Sequence, residues 1–262
     1  MRDITYPPVI VTAKVLFKLL GQRFQLSGTE HVPRKGGALL AINHTGYVDF
    51  IYGGLAANPS KRLVRFMIKR EMMDKPGVGH LLRSFHHIRV DRDSGVQSML
   101  DARSYLEAGE VVGIYPEATI SRSFEIKELK SGAVRIAADA GVPLIPVIVW
   151  GAHRLMTKDH PRDFSRSRKT IAVRVGQPMH PTGEDINAET AALRTAMQRL
   201  LDETIAAYPE DEKAPGSWWT PARFGGSAPT PEEAARLDQE ERRARAQKAA
   251  AKRAAKGDKS SK

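Results

Sequence analysis

Between residues 24 and 207 the chain alternates short apolar runs with longer amphipathic stretches. The runs Ala38–Ile42, Leu63–Ile68, His87–Val90, Val111–Tyr115, Leu144–Trp150 and Ile171–Val175 are bounded by turn residues and predict strands. Helices are expected from about Val48, over Val96–Ala108, and over Gly132–Ala140 with a stop at Gly141. A last one is expected over Ala188–Ala207, where Leu193, Met197, Leu200, Leu201 and Ile205 share one face. This alternation predicts an α/β domain with a mostly parallel central sheet flanked by helices. In such sheets the chemistry gathers in loops beyond the carboxyl ends of strands.

The ends of the chain are patterned differently. Pro8–Leu20 is apolar around most of a helical circumference, with Lys14 and Lys18 one turn apart. A helix lying in the headgroup plane of a membrane has this pattern, and so has one packed on a core. Residues 1–23 are therefore read as an N-terminal amphipathic helix and residues 24–210 as the main domain. Residues 211–230 form a Pro/Gly-rich linker. It carries Trp218, Trp219 and Phe224, which places it against the domain or at a membrane interface. Residues 231–262 make a basic tail of Ala, Lys, Arg and Glu, mobile or helical, with Leu237 as its only large aliphatic residue. It has no apolar stripe with which to dock.

Charge and composition narrow the function. The 262 residues carry a formal net charge of +11, of which the tail holds +4, and they include no Cys. Disulfides, thiolate metal sites and Cys nucleophiles are thereby excluded, and a reducing compartment is expected. The positive balance points to an anionic partner: a membrane surface, a phosphorylated small molecule or nucleic acid. No run approaches the ~18–20 apolar residues of a spanning helix, and Lys14 and Lys18 interrupt the only N-terminal candidate. Neither a signal peptide nor an integral membrane protein is expected.

Three His–Asp pairs occur at a spacing of five: His44/Asp49, His86/Asp91 and His180/Asp185. His86 and Asp91 straddle a strand and point to opposite faces, while His180 and Asp185 lie in a polar loop. His44 sits just beyond the buried run Ala38–Ile42, with Asp49 opening the next helix. In a continuous helix the two would stand about 140° apart, at ~100° per residue. A turn at Thr45–Gly46 is needed before the carboxylate can reach the ring. Such a pair makes His44 a general base whose tautomer Asp49 fixes; the alternative is a histidine with only a packing role. Pro116–Ser121 follows another strand, and Glu117 there suits either a substrate hydroxyl or a turn cap. Lys61, Arg62, Arg65, Lys69 and Arg70 cluster around one strand, and Arg92 ends another. Most such charges are ordinary surface, but cations at the edge bearing the base suggest an anionic substrate, and a phosphate suits Arg and Lys best. No Gly-x-Ser-x-Gly elbow accompanies His44, so the base is expected to activate a substrate hydroxyl directly.

These residues resemble a known family. Asn43-His44-Thr45-Gly46-Tyr47-Val48-Asp49 resembles the NHxxxxD motif of the 1-acylglycerol-3-phosphate acyltransferases. His86–Arg92 is similar to their second motif, Tyr115–Ser121 to the third (FPEGTRS), and Val142–Val147 to the fourth. Lys69-Arg70-Glu71 resembles a Lys-rich stretch, and Lys130-Ser131-Gly132-Ala133 the KxGA sequence. Three departures stand out: Ala118 and His86 replace Gly, and Ile120 replaces Arg. The resemblance implies that His44, oriented by Asp49, deprotonates an acceptor hydroxyl, which attacks the thioester of acyl-CoA or acyl-carrier protein. It implies that Lys69 and Arg92 hold the acceptor phosphate and that Glu117 contacts the glycerol backbone. Thr119 is counted with these substrate-binding residues, and the fourth motif with the donor region.

The expected function is acyl transfer to 1-acyl-sn-glycerol 3-phosphate (lysophosphatidic acid) or a related lysophospholipid, giving phosphatidic acid. No metal or cofactor is expected beyond the acyl donor. The expected place of work is the cytoplasmic face of the cell membrane, peripherally, on an anionic surface, without specific nucleic acid. The alternatives are the same chemistry on glycerol 3-phosphate, another lysophospholipid or a glycolipid, or a non-catalytic lipid- or nucleic-acid-binding module.

Overall fold

The structure, a computed structural model, describes residues 3–91 and 95–260. In chain order the elements are α1 (Tyr6–Leu19), β1 (Arg23–Ser27), β2 (Ala38–Ile42), α2 (Asp49–Gly53), β3 (Val64–Lys69), α3 (Arg70–Met73), α4 (Val78–Ser84) and β4 (Ile88–Val90). They continue with α5 (Gly95–Glu107), β5 (Val111–Ile114), α6 (Gly132–Ala140), β6 (Leu144–Trp150), β7 (Thr170–Val175), α7 (Ile186–Ala206) and α8 (Pro231–Ser260). The seven strands form one sheet in the order β1-β7-β6-β2-β5-β3-β4. All neighbours are parallel except β6 and β7. This is the mostly parallel α/β arrangement that the alternation predicts.

Burial explains which strands were legible. β2 and β6 are buried at every position, as central parallel strands covered on both faces must be. Alternate residues of the sheet, among them Leu40, Ile42, Val64, Phe66, Val147 and Val173, form one apolar cluster with Phe17 of α1 and Tyr52 of α2. α5, α6 and α7 pack beside one another on the sheet. α7 starts two residues earlier than its apolar face suggests because the Asp185 carboxylate accepts the Ala188 N–H and caps it. β1 escaped the pattern because all five of its residues are exposed, and only pairing with β7 makes it a strand.

The chain divides into two compact units. One is built on residues up to Ser121 and on Ile126–Ala214, the other on Arg122–Glu125 and the chain from Pro215. In the second unit Thr230 and Glu233 form a reciprocal capping box at the start of α8, with Pro231 as the first helical residue. Ala234, Leu237, Asp238 and Glu241 recur at helical spacing and are the residues of this stretch drawn away from solvent. Where a solvated helix without an apolar stripe was expected, α8 has a face drawn from solvent that pairs two small or aliphatic residues with two acidic ones.

The cation cluster is also corrected at one member. Arg65 is 1% exposed. Its guanidinium donates to both carboxylate oxygens of Asp3 at 2.7 Å, to Glu110 at 3.3 Å and to the Phe85 carbonyl at 3.0 Å. Those bonds hold the Asp3 carboxyl below its ordinary range. Removing one side of such a pair strands the other partner away from water. Arg65→Ala is expected to lower stability by about 3–5 kcal/mol in urea unfolding. Arg65→Lys should recover only part, because an ammonium cannot span both Asp3 oxygens.

Candidate active site

β2 and β5 lie side by side in register, Ala41 beside Ile114, so the loops after them leave the same edge together. His44 follows β2 and Glu117 follows β5. The turn demanded between His44 and Asp49 is present at residues 45–48. It brings Asp49 Oδ2 to 3.2 Å from His44 Nδ1. The same oxygen accepts the Thr45 and Gly46 N–H groups, each at 2.7 Å. Asp49 is 0% exposed, and burial pushes its carboxyl up, opposed by His44 and by the two N–H groups. With Nδ1–H donating to Asp49, the Nε2 lone pair is the one offered to a reactant.

Gly46 is needed here for space rather than for a left-handed backbone. A Cβ would stand 2.8 Å from the Met156 carbonyl oxygen and 3.0 Å from His153 Cα. The segment after β6 closes on the turn: Tyr47 N–H donates to the Met156 carbonyl at 2.9 Å, and Thr157 Oγ1 to the Thr45 carbonyl at 2.6 Å. Asn43 locks β2 to β6 through its side-chain amide, which donates to the Val149 carbonyl and accepts the Val149 N–H. The roles of Asn43, Thr157 and Tyr115 escaped sequence reasoning. Tyr115, at the end of β5, stacks on His44 with ring centroids 4.3 Å apart.

Glu117 is 4% exposed, and each of its oxygens takes a backbone N–H: His44 at 2.8 Å and Lys127 at 3.1 Å. The Ser121 N–H returns to the His44 carbonyl at 2.7 Å. Both backbone groups of the histidine are therefore held by the loop after β5. Thr119 Oγ1 accepts from Lys127 Nζ at 2.8 Å. Burial pushes the Glu117 carboxyl up to about 7, against the His44 and Lys127 N–H groups and the Lys127 charge.

The other expected site residues are dispersed. Lys69 ends β3, exposed and two strands from β2. Arg92 lies outside the described residues. Val142–Val147 runs into β6, next to β2. Ile120 is buried, and Arg122 pairs with Asp238 and Glu241. His86 and Ala118, the two positions where the resemblance expects Gly, hold left-handed φ values of 55° and 61°. The backbone requirement persists without the residue that meets it most easily.

Known proteins resemble this chain in sequence and in fold. The acyltransferase family matches residues 23–150. The chain is 30% identical over 195 residues to the 1-acyl-sn-glycerol-3-phosphate acyltransferase of Bacillus subtilis, across 71% of this chain and 92% of that one. It is 25% identical over 190 residues to the protein of the same name from Pseudomonas aeruginosa, across 71% and 70%. The fold is similar to the solved structure of the 1-acyl-sn-glycerophosphate acyltransferase of Thermotoga maritima. The TM-score is 0.64 at 20% identity, over 78% of this chain and 81% of that one.

The raised Glu117 carboxyl gives a pH test. The folded protein binds this proton more tightly than the unfolded chain, whose carboxyl titrates near its ordinary 4.5. The stabilisation is therefore complete below about pH 4.5 and is lost as pH rises through about 7. Glu117→Gln cannot titrate. Chemical denaturation across this window should show wild-type stability falling relative to Glu117→Gln as pH increases; parallel curves would contradict the shift.

Proposed function

The chain belongs to the acyltransferase family that includes the 1-acyl-sn-glycerol-3-phosphate acyltransferases, and from that premise we propose that it acylates the free hydroxyl of a lysophospholipid with His44 as general base. The observation that carries this reading is the buried Asp49 carboxylate set against His44 Nδ1 at a strand-end edge. Nε2 takes the hydroxyl proton as the acceptor oxygen attacks the thioester carbonyl of acyl-CoA or acyl-carrier protein. Asp49 stabilises the imidazolium so formed. Collapse of the tetrahedral intermediate forms the ester, breaks the carbon–sulfur bond and returns the proton from His44 to the departing thiolate. Glu117 serves by holding the His44 backbone, and Thr119 with Lys127 braces the same loop.

The acceptor is proposed to be lysophosphatidic acid, its phosphate held by Lys69 and Arg92, and the product phosphatidic acid. A different acceptor, whether glycerol 3-phosphate, another lysophospholipid or a glycolipid, is favoured by one observation: Ile120 is buried and apolar where the resemblance expects an arginine.

No helix among the described residues is long and apolar enough to cross a membrane. α1 combines both roles that its pattern allows. Phe17 is 6% exposed and packs on Tyr52 and Phe24, whereas Val11, Val15, Leu16 and Leu19 are exposed. We assign this outer face, with Lys18 and the exposed Phe24 and Leu26 of β1, to the cytoplasmic surface of an anionic bilayer.

His44→Ala should reduce thiol release from acyl-CoA in the presence of lysophosphatidic acid by at least about 10²-fold with little change in melting temperature. Turnover near the wild-type rate would end the mechanism, and mass spectrometry of products from a panel of acceptors identifies the true one. Leu16→Asp with Leu19→Asp should release the folded protein from anionic vesicles at low salt. Both residues are more than half exposed, so the core is spared. Undiminished binding would remove α1 from the membrane contact.

A further inference from the structure

The loop between β6 and β7 starts and ends at the edge of the sheet that carries His44. β6 runs parallel to β2 and β7 antiparallel to β6, so both ends of the loop lie beside the His44 turn. Met156 and Thr157 touch that turn first. The chain then folds back, and the Asp163 N–H donates to the Leu155 carbonyl at 2.9 Å. Lys169 is 5% exposed, and its ammonium meets Asp163 at 2.8 Å and the Ser165 and Ser167 hydroxyls. The one carboxylate between Arg162 and Lys169 is thereby neutralised from within the loop.

What the loop shows to solvent is of one sign. Arg162, Arg166 and Arg168 are exposed, and none of them pairs with a carboxylate among the described residues. Phe164, between them, is 46% exposed. The loop also reaches α1. A Cβ at Gly21, in the turn from α1 to β1, would stand 3.5 Å from Arg166 Cγ and 3.7 Å from Arg168 Cγ. The Arg23 N–H donates to the Lys169 carbonyl at 3.1 Å. That turn lies between the exposed Leu19 and Phe24. Cations bordering exposed apolar side chains match the headgroup and acyl layers of an anionic bilayer, whereas nucleic acid would leave the apolar groups in water. We propose that residues 162–168 are a second membrane-docking element, whose guanidinium groups take the phosphates of anionic lipids while α1 inserts beside them. Docking there turns the His44 edge toward the surface in which a lysophospholipid acceptor resides. The inference rests on the bilayer contact proposed for α1.

The test uses the full-length chain with Arg162→Gln, Arg166→Gln and Arg168→Gln together, beside the Leu16→Asp, Leu19→Asp variant. Co-sedimentation is measured with phosphatidylcholine vesicles, with and without phosphatidylglycerol. At low salt the glutamine variant should bind the phosphatidylglycerol vesicles about 10²-fold more weakly than wild type, at about fivefold per cation. On phosphatidylcholine alone the two should match, and raising the salt to about 0.5 M should narrow the gap on anionic vesicles. Equal binding to anionic vesicles overturns the role of the loop; if the α1 variant is meanwhile released, the membrane contact of α1 stands without it. Release of the glutamine variant with the α1 variant still bound keeps the loop and removes α1. Wild-type binding that is indifferent to salt, or absent from both vesicles, overturns the proposal whatever the variants do. Loss of affinity for acyl-CoA in titration calorimetry, or for duplex DNA, with vesicle binding intact would assign the arginines to those partners and overturn it as well. None of these readouts needs turnover, so an inactive wild type ends the acyltransferase reading and leaves this one to the vesicles.

Discussion

One carboxylate oxygen, Asp49 Oδ2, collects the Thr45 and Gly46 N–H groups and the His44 ring nitrogen. A carboxylate taken fully out of water is costly unless hydrogen bonds replace its hydration. Here the same three donors that stabilise the charge also bend the chain, so that residues five apart meet. The short turn from β2 into α2 is thus shaped around Asp49 Oδ2. The surrounding structure then has to leave room for it: Gly46 lets the Met156 carbonyl come close, and Thr157 ties down the Thr45 carbonyl.

The second support comes from a strand distant in sequence and adjacent in space. The loop after β5 holds His44 by its N–H, through Glu117, and by its carbonyl, through Ser121. Tyr115 lies against the ring. The histidine is therefore positioned by two strands rather than by its own turn alone, which is how a site on loops acquires the rigidity of a sheet. Glu117 carries this at the expense of a carboxyl raised by burial, so scaffold and electrostatics are set by one residue.

Backbone geometry is maintained where side chains depart from the family pattern. His86 and Ala118 adopt the left-handed conformation that the resemblance assigns to glycine, at a cost of about 1–2 kcal/mol each. The strand ends and loop contacts around them fix the path of the chain, and the residue adapts. Arg65 shows a related economy. It lies among cations that read as surface charge, yet it is buried because Asp3, Glu110 and the Phe85 carbonyl converge on it from three separate segments.

Short-range information was enough for the elements whose burial follows a simple period. β2, β6 and α6 fall where apolar runs and the Gly141 stop place them, and the mostly parallel sheet follows from their alternation. The spacing of His44 and Asp49 and the character of Tyr115–Ser121 carried the resemblance to the acyltransferases, and in a mostly parallel sheet such polar groups gather in the loops beyond strand ends. β1 was illegible since its residues are all exposed and its pairing partner is more than a hundred positions away. For α8 the sequence left a mobile and a helical tail both open, because its docking face is ionic and gives no apolar stripe to read. The tie of Glu117 to His44 belongs to the tertiary structure alone. Its bonds join main-chain groups to carboxylates across strands, and main-chain donors carry no signature in the sequence.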